Sequence, residues 1–370
     1  MQDILIISGT RPEIIKLAPL YHCLRASRWA RPQWLHTGQH DEMARQMLGC
    51  FDIAPDISLE RGGNGLCEFS TRCRSLLDQV LSKGTWSLVI VQGDTESTFL
   101  GALGGFYHHV MVAHVEAGLR THDLEQPFPE EGLRQMVSRI ASFHFAPTPR
   151  AAMALRAESI PQERIFVTGN TVIDAQHWVT RRYQIQRKVK GLGHLLVTAH
   201  RRESWGSDLR EICYAIADVA SRHPELQVLF PVHLNPVVSQ PVHAILGELP
   251  NVHLSAPFDY LAMQQALVDS WLVLTDSGGL QEEAPTFGVP LLVLRTATER
   301  PEAIEAGCAR LAGTRRASIV KQIEELWSNP NAYLSMARAD NPFGDGRASI
   351  RIADLLQNAL ACSEGQRVAS

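Results

Sequence analysis

Short apolar runs alternate with longer segments of helical periodicity along almost the whole chain. The runs are rich in Val, Ile and Leu, which is typical of strands that are buried on both faces of a parallel sheet. The predicted strands cover residues 3–8, 33–37, 87–92, 110–115, 144–147, 164–168, 194–199, 226–231, 252–255, 271–275 and 290–294. Helices are predicted between them, for example over residues 12–27, 95–107, 129–143, 207–222 and 259–269. This alternation predicts an α/β protein built on parallel sheets.

The alternation is interrupted once, in the middle of the chain. Residues 180–193 are basic and end in Gly-Leu-Gly, and a new apolar run begins at His194. We interpret this stretch as a linker between two Rossmann-like, doubly wound domains, one of residues 1–175 and one of residues 190–347. The C-terminal segment 348–370 looks helical and is expected to pack on the first domain. Because ligands bind at the carboxyl ends of parallel strands, we expect the substrate in a central cleft between the domains.

Length and composition are those of an ordinary globular enzyme. The chain has 370 residues, of which 45% are hydrophobic and 20% charged, enough for two domains. The net charge of −4 favours no nucleic-acid partner, and no apolar run approaches the roughly 20 residues of a membrane span. No basic segment precedes the first strand, so a signal peptide is not expected. With seven scattered cysteines, we predict a cytoplasmic protein with reduced thiols.

The sequence predicts neither a dinucleotide cofactor nor a metal. Gly9 follows the first strand, but the residues after it do not continue the Gly-x-Gly-x-x-Gly pattern of a dinucleotide site. Gly191 and Gly193 precede a strand instead of following one. The cysteines and histidines lack the paired spacing of a structural zinc site. We therefore expect no cofactor and no metal.

The segment 8–13, Ser-Gly-Thr-Arg-Pro-Glu, joins the first predicted strand to the first helix. Pro12 suits the first helical turn, and Gly9 permits a tight turn. Arg11 would stand beside exposed backbone N–H groups at a helix N-terminus, an arrangement that binds anions, with Lys16 about one turn further on. The alternative is an ordinary helix start with a solvated arginine.

A second junction of this kind is the segment 275–285. Two glycines follow Ser277 directly after a strand, so backbone can approach a ligand closely, and Ser277 with the glycine N–H groups can hold phosphate oxygens. Glu282 and Glu283 lie too far into the following helix to favour phosphate, and a carboxylate there suits ribose hydroxyls better. A purely structural turn remains the alternative.

Three sets of carboxylates follow strand ends or begin a helix between residues 88 and 131. Asp94 and Glu116 each follow an apolar run, and Glu130 and Glu131 stand where a helix is predicted to begin. Because strand ends of an open sheet face one crevice, the three sets can meet and carry out acid/base chemistry. Alternatively, Asp94 caps the helix near Thr95, and the glutamates compensate the helix dipole. A buried Glu116 without a role would be costly.

His200 ends the first strand of the second predicted domain. At that position it would point into the cleft, opposite Asp94 and Glu116, where it can stabilise a departing diphosphate or act as an acid. A satisfied structural histidine is the alternative.

Taken together, these motifs resemble those of the non-hydrolysing UDP-N-acetylglucosamine 2-epimerases, in order and over nearly the whole chain. The matching stretches are residues 9–13, 93–95, 114–121, 129–131, 167–174, 200–203, 231–236, 275–285, 298–302 and 341–346. The resemblance implies a glycosyltransferase-B-like pair of domains. It also implies interconversion of UDP-GlcNAc and UDP-ManNAc by elimination and re-addition of UDP through 2-acetamidoglucal, supplying sugars for surface polysaccharide.

The same resemblance assigns roles to individual residues. The implied catalytic residues are Asp94, Glu116, Glu130 and His200. The implied UDP contacts are Arg11, Ser277, Gly278, Gly279 and Glu283. Further substrate contacts are expected from Lys16, Arg134, His233 and Arg300. Some members bind a second substrate molecule as an activator, for which the candidates are Gln39, His40 and Arg201. No metal and no NAD are implied, and we expect a homodimer.

Departures from the family pattern are few. Leu133 replaces the usual asparagine of the acidic helix, Ser138 replaces a frequent aspartate, and residues 61–65 differ near the activator site. Other functions remain open: a hydrolysing epimerase that releases ManNAc and UDP, an epimerase for a UDP-diacetamido-uronic acid, or a glycosyltransferase or nucleotide-sugar-binding protein of the same fold.

Overall fold

The computed structural model describes residues 1–39, 42–60, 65–201 and 204–368, and the chain divides into two compact units. The first unit comprises Met1–Trp178 and Phe343–Ser370, and the second comprises Val179–Pro342. Each contains one parallel sheet with helices between its strands. The predicted α/β class, with two Rossmann-like domains, is confirmed.

The secondary structure follows the predicted alternation. The strands are β1 Gln2–Ser8, β2 Ala30–His36, β3 Ile57–Ser58, β4 Leu88–Gln92, β5 Met111–Val115, β6 Phe143–Ala146, β7 Ile165–Val167, β8 His194–Thr198, β9 Val228–Pro231, β10 Val252–Ser255, β11 Ser270–Thr275, β12 Leu291–Val293 and β13 Ala309–Leu311. The helices are α1 Arg11–Ala26, α2 Glu42–Cys50, α3 Leu66–Lys83, α4 Glu96–Tyr107, α5 Glu130–Ile140, α6 Pro149–Ala157, α7 Thr171–Arg182, α8 Ser207–Arg222, α9 Pro236–Leu246, α10 Tyr260–Asp269, α11 Gly278–Glu283, α12 Pro301–Glu305, α13 Arg316–Ser328, α14 Pro330–Ala337 and α15 Ala348–Val368.

Both sheets reverse their strand order once. The first sheet has the order β3-β2-β1-β4-β5-β6-β7, and the second has the order β10-β9-β8-β11-β12-β13. The order therefore reverses between β1 and β4 in the first unit and between β8 and β11 in the second. Loops diverge at such a switch point and leave a crevice at the carboxyl ends of the strands, where α/β proteins bind ligands.

The cores lie on both faces of the sheets, as the unbroken apolar runs predict. Ile4, Leu5, Ile6 and Ile7 succeed one another along β1, and all four are fully buried. Alternate residues of a strand point to opposite faces, so complete burial of all four requires helices on both sides. No described helix is long and apolar enough to cross a membrane.

The structure differs from the predicted elements at short strands and at the linker. Strands β3 and β13 were not predicted, because two or three residues carry no measurable period. Helix α7 continues to Arg182, so part of the predicted linker is helical. Its terminal arginines are favourable there, because cations stabilise the C-terminal end of a helix dipole.

The chain returns to the first unit earlier than the sequence suggested. Residues 343–347, which we assigned to the second domain, belong to the first unit. Phe343 is buried, and its carbonyl accepts a hydrogen bond of 2.6 Å from the Asn170 N–H. This contact fixes the returning chain beside the start of α7.

A buried carboxylate joins the loops on the two sides of the first switch point. Glu13 accepts hydrogen bonds from the N–H groups of Gly9 (3.0 Å) and Thr10 (2.6 Å), which follow β1. It also accepts from the hydroxyls of Thr95 (2.7 Å) and Thr98 (3.0 Å), which follow β4. Burial raises the pKa of Glu13, and these hydrogen bonds oppose that rise.

We expect Glu13→Ala to lower the free energy of unfolding by about 1–3 kcal/mol, because buried N–H donors lose their acceptor. Glu13→Gln should cost less, since an amide keeps one acceptor oxygen and threonine hydroxyls can accept from its NH₂ group. The exposed Glu163→Ala is the control. Urea unfolding measures all three, and an effect of Glu13→Ala no larger than that of Glu163→Ala would contradict the assignment.

Candidate active site

The structure brings the three predicted carboxylates of the first unit together beside the switch point. Asp94 follows β4, Glu116 follows β5, and Glu130 begins α5. The negative charges of Glu116 and Glu130 both act on Asp94 and favour its protonated form. Arg134 and Lys16 act on it in the opposite sense. Carboxylates that are distant in sequence therefore share one electrostatic environment.

Glu116 is the most constrained member of this group. Its φ of 62° lies in the left-handed region, and only 8% of its surface is exposed. The Lys16 ammonium and the Gln92 side-chain amide donate to its two carboxylate oxygens. The Asn170 amide donates to Oε1 at 2.9 Å. Donors from three separate elements thus compensate the buried charge.

Asp94 has a different environment. Its Oδ2 lies 2.8 Å from Arg134 Nη2, and 28% of its side chain is exposed. Burial raises the pKa of Asp94, the Arg134 guanidinium opposes that rise, and the Glu116 carboxylate adds to it. The alternative that Asp94 caps α4 is wrong, because Thr95 is the N-cap and accepts from the Thr98 N–H at 3.2 Å.

The two adjacent glutamates at the start of α5 differ in role: Glu131 is bound by backbone donors, whereas Glu130 has an oxygen that can take part in chemistry. Glu131 is fully buried and accepts from the N–H groups of Thr121 (3.0 Å) and His122 (3.2 Å). Burial would raise its pKa, but these donors hold it below its ordinary value. Within the described part of the chain, Glu130 Oε2 is buried and has no hydrogen-bond partner. Glu130 is therefore the one available for chemistry.

In the second unit, Asp276 organises the loop that carries His200. Asp276 is fully buried directly after β11, and its Oδ2 accepts from the backbone N–H groups of His200 and Arg201, both at 2.8 Å. Its Oδ1 lies 3.1 Å from His200 Nδ1. Burial would raise the pKa of Asp276, but the His200 ring and the two N–H groups lower it. This contact involves Nδ1 of the half-exposed imidazole.

Two arginines flank the glycine turn at the start of α11. A Cβ atom placed on Gly278 would lie 3.7 Å from Arg201 Nη2 and 3.9 Å from Arg300 Nη2. Arg201 pairs with Glu299 at 3.5 Å, and Arg300 pairs with the buried Glu282. A glycine between two guanidinium groups leaves room for an anion, and these donors suit phosphate oxygens.

The other predicted residues of the second unit lie at the ends of its elements. Gly279 follows Gly278 in the first turn of α11, whose N-cap is Ser277. Glu283 accepts from the Gln264 amide at 2.6 Å. His233 is exposed after β9, and its Nδ1 accepts from the Asn235 N–H at 3.1 Å. Arg201, which the sequence placed only in the activator site, lies beside Gly278.

The first strand-to-helix junction differs from the prediction. The N–H groups of Gly9 and Thr10 are not exposed to a ligand, because Glu13 binds both. Arg11 is exposed at the start of α1. Gly9 is required by close packing, since a Cβ there would come within 2.0 Å of Ser97 Oγ. Glu13 therefore occupies these two N–H groups, and the anion site beside the accessible Arg11 stays a prediction.

The predicted activator residues are only partly described. Gln39 Oε1 accepts from the N–H group (3.2 Å) and the hydroxyl (2.6 Å) of Ser97. His40 lies outside the described residues, as does most of the departing stretch at 61–65. Ser138 accepts from Arg120, a nearly buried side chain that also binds Glu158 at 2.6 Å. Ser138 therefore contributes to the packing of α5.

Sequence reasoning missed several supporting residues. Gln92, Asn170 and Asp276 each lie inside or beside a motif, but nothing in the pattern indicated which carboxylate or imidazole they contact. Within the described ranges, no group of three or more His, Cys, Asp or Glu side chains is arranged to hold a metal ion.

Comparison with known proteins identifies close relatives. Residues 22–357 match the family model described as UDP-N-acetylglucosamine 2-epimerase. The chain is 46% identical over 371 residues to the UDP-N-acetylglucosamine 2-epimerase of Yersinia pestis, covering 96% of this chain and 98% of that one. It resembles the crystal structure of UDP-GlcNAc 2-epimerase from Neisseria meningitidis bound to UDP-GlcNAc, with a TM-score of 0.87, 39% identity, and coverage of 96% and 100%.

We expect Asp94→Asn and Asp276→Asn to change stability in opposite directions at pH 8. The raised pKa of Asp94 means that its stabilising contribution is present below the unfolded-state pKa and is lost as pH rises through the folded-state pKa. The lowered pKa of Asp276 means that its contribution is present above the unfolded-state pKa and is lost as pH falls through the folded-state value.

Thermal unfolding at pH 8 should therefore give a Tm at or above wild type for Asp94→Asn. It should give a Tm lower by about 2–4 °C or more for Asp276→Asn. The Asp94→Asn difference should shrink on acidification toward pH 4, whereas the Asp276→Asn difference should persist there and shrink only below the ordinary aspartate pKa of 3.8. A loss of stability in both variants at pH 8 would contradict the assigned environment of Asp94.

Proposed function

The chain belongs to the UDP-N-acetylglucosamine 2-epimerase family, and from that premise we propose that it interconverts UDP-GlcNAc and UDP-ManNAc by inverting C2. The observation that carries the proposal is the electrostatic coupling of Asp94, Glu116 and Glu130 at one end of the first sheet. Inversion at C2 needs acid and base groups on both faces of the sugar, which several carboxylates from different elements can supply.

The chemistry explains why a diphosphate group is required. The C2–H bond has no neighbouring carbonyl to acidify it, so cleavage of the C1–O bond must lead or accompany proton removal. In the proposed elimination the C1–O electron pair leaves with UDP, and the C2–H electron pair forms the C1=C2 bond of 2-acetamidoglucal. In the reverse addition, a UDP oxygen attacks C1 and a proton reaches C2 from the other face.

The first unit would supply the proton transfers. Asp94 suits such a step because burial raises its pKa toward neutral pH, where a general acid or base works best. Glu130 has a buried oxygen free of hydrogen bonds within the described residues. Lys16 and Arg134 would contact the substrate and moderate the negative charge around it.

The second unit would hold the leaving group. A phosphate beside Gly278 would meet the guanidinium groups of Arg201 and Arg300, which lie within 4 Å of the space above that glycine. His200, whose Nδ1 lies beside Asp276, would stabilise the departing charge through its other ring nitrogen, Nε2. Further proposed contacts to UDP are Ser277, Gly279, Glu283, His233 and Arg11.

Alternative reactions are separated by their products. A hydrolysing epimerase releases free UDP and ManNAc, and a transferase needs an acceptor. An epimerase for a diacetamido-uronic acid would prefer that UDP-sugar to UDP-GlcNAc. The set of three carboxylates favours epimerisation over simple binding of a nucleotide-sugar, because a protein that only binds the sugar needs no group that accepts a proton.

We expect incubation with UDP-GlcNAc in deuterated water to place deuterium at C2 of the recovered UDP-sugar, with little free UDP. Mass spectrometry and NMR measure both. Asp94→Asn should fold and lose about 10²–10⁴-fold in rate, the range typical of a lost acid/base group. Glu116→Gln should also fold and lose rate, because it removes a carboxylate from the site. Absence of exchange at C2 would refute epimerisation, and stoichiometric UDP would favour the hydrolytic reaction.

We expect Arg300→Gln and Arg201→Gln each to weaken UDP binding by about 10- to 100-fold, the usual effect of losing a charged hydrogen bond. Calorimetric titration with UDP measures the change. Arg310→Gln is the matched control, because Arg310 pairs with Glu325 at 3.0 Å on β13, outside the glycine turn. Unchanged UDP affinity in both test variants with wild-type Tm would place the diphosphate elsewhere.

A further inference from the structure

Two neutral amides and one ammonium surround the Glu116 carboxylate. Gln92 ends β4, Asn170 precedes α7, and Lys16 lies in the second turn of α1. All three donate to Glu116. The mechanism proposed above assigns no role to either amide. Their convergence on one catalytic candidate nevertheless gives Glu116 donors from three separate elements.

The orientation of the Asn170 amide is fixed by the backbone of the first turn of α7. Its Oδ1 accepts from the Val172 N–H at 3.1 Å, where α7 begins. The NH₂ group must therefore point the other way, and there it meets Glu116 Oε1 at 2.9 Å. The Asn170 N–H is bound to the Phe343 carbonyl. With its side-chain oxygen bound by Val172 and its backbone N–H bound to Phe343, Asn170 offers Glu116 a donor and no acceptor.

Three other titratable groups near Glu116 affect which protonation state of its carboxyl is favoured. Lys16 on α1 favours the charged carboxylate, whereas Asp94 after β4 disfavours it. His114 on β5 is also close, but burial lowers its pKa to about 3, so it is neutral at physiological pH. Hydrogen bonds to the ionised form of a carboxyl stabilise that form.

We infer that Gln92 and Asn170 are positioning residues whose amides, together with the Lys16 ammonium, hold Glu116 as a fixed carboxylate that does not exchange its proton during the reaction. This inference rests on the proposed function and assigns separate roles to the three carboxylates. Asp94 and Glu130 carry the proton at C2. Glu116 stays charged and faces the positive charge that develops at C1 as the C1–O bond breaks.

The backbone of Glu116 agrees with a fixed role. A glutamate at φ 62° is strained, and such strain persists only when surrounding contacts determine the conformation. Here the contacts are the same donors that bind the carboxylate. A group that is both strained and held from several sides is pre-organised, and a displacement of about 1 Å at such a site can cost 10²-fold in rate.

The test compares Gln92→Met and Asn170→Asp with Asn251→Asp. Met keeps the shape of Gln92 without its donor, and Asp keeps the Val172 acceptor while replacing the donor toward Glu116. Asn251 is also buried and donates to backbone carbonyls, of Ala220, His223 and Leu226. It directly precedes β10, an edge strand, whereas Gly278 follows the carboxyl end of the central strand β11. It reports the stability cost of such a change alone.

For both test variants we expect kcat to fall by about 10- to 100-fold with KM for UDP-GlcNAc near its wild-type value. The acid limb of the kcat profile should move to higher pH, because Glu116 binds a proton more readily once a donor is lost. Asn251→Asp should lower Tm without moving the limb. C2 deuterium exchange, initial rates between pH 5 and 9, and Tm are the measurements.

The outcomes separate this inference from the function it rests on. Wild-type protein without exchange at C2 would overturn the proposed function and the inference with it. Active wild-type protein, with a pH profile that neither Gln92→Met nor Asn170→Asp shifts, would overturn the inference alone. Loss of folding in Asn170→Asp leaves Gln92→Met to decide, since that substitution preserves side-chain volume.

Discussion

One buried carboxylate joins the two diverging loops at the switch point of each sheet. In the first unit Glu13 binds the backbone after β1 and the threonines after β4. In the second unit Asp276, after β11, binds the backbone N–H groups after β8. The strand order alone would leave these loops apart, so the crevice edges and the side chains on them depend on these two acids.

The same loops then carry side chains whose environments differ in sign. Asp94 is destabilised in its charged form, whereas Asp276 and Glu131 are stabilised by the N–H groups they bind. Opposed environments for similar groups are characteristic of sites that carry out acid/base chemistry. Asp276 and Glu131 fix the geometry of the loops, whereas Asp94 is left with a raised pKa that suits proton transfer.

The sequence predicted the elements that rest on local pattern and missed the pairings that rest on tertiary structure. Unbroken apolar runs predicted β1, β4, β5, β8 and β11. The positions just after three of these runs, at the ends of β4, β5 and β8, indicated Asp94, Glu116 and His200 as candidates. The contact of Glu13 to the Thr10 N–H is a local capping box, Thr-x-x-Glu, that the sequence analysis did not use. Its contacts to Thr95 and Thr98 could not be predicted, since they require the fold of α1 beside α4. Likewise, Gln92 and Asn170 lie 78 positions apart in the numbering, and only the sheet order brings both to Glu116. The short β3 and β13 carry too few residues for any periodicity.

The ion pairs beside Gly278 have a consequence for ligand exchange. Arg201 and Arg300 are already matched to Glu299 and Glu282, so a phosphate arriving at the proposed site would displace a carboxylate from its partner instead of neutralising a bare cation. Association would then be an exchange of partners, and its net free energy would be the difference between two opposing attractions. When the anion departs, the glutamates would be close enough to pair with the guanidinium groups again and to hold the arginines in place between successive occupants.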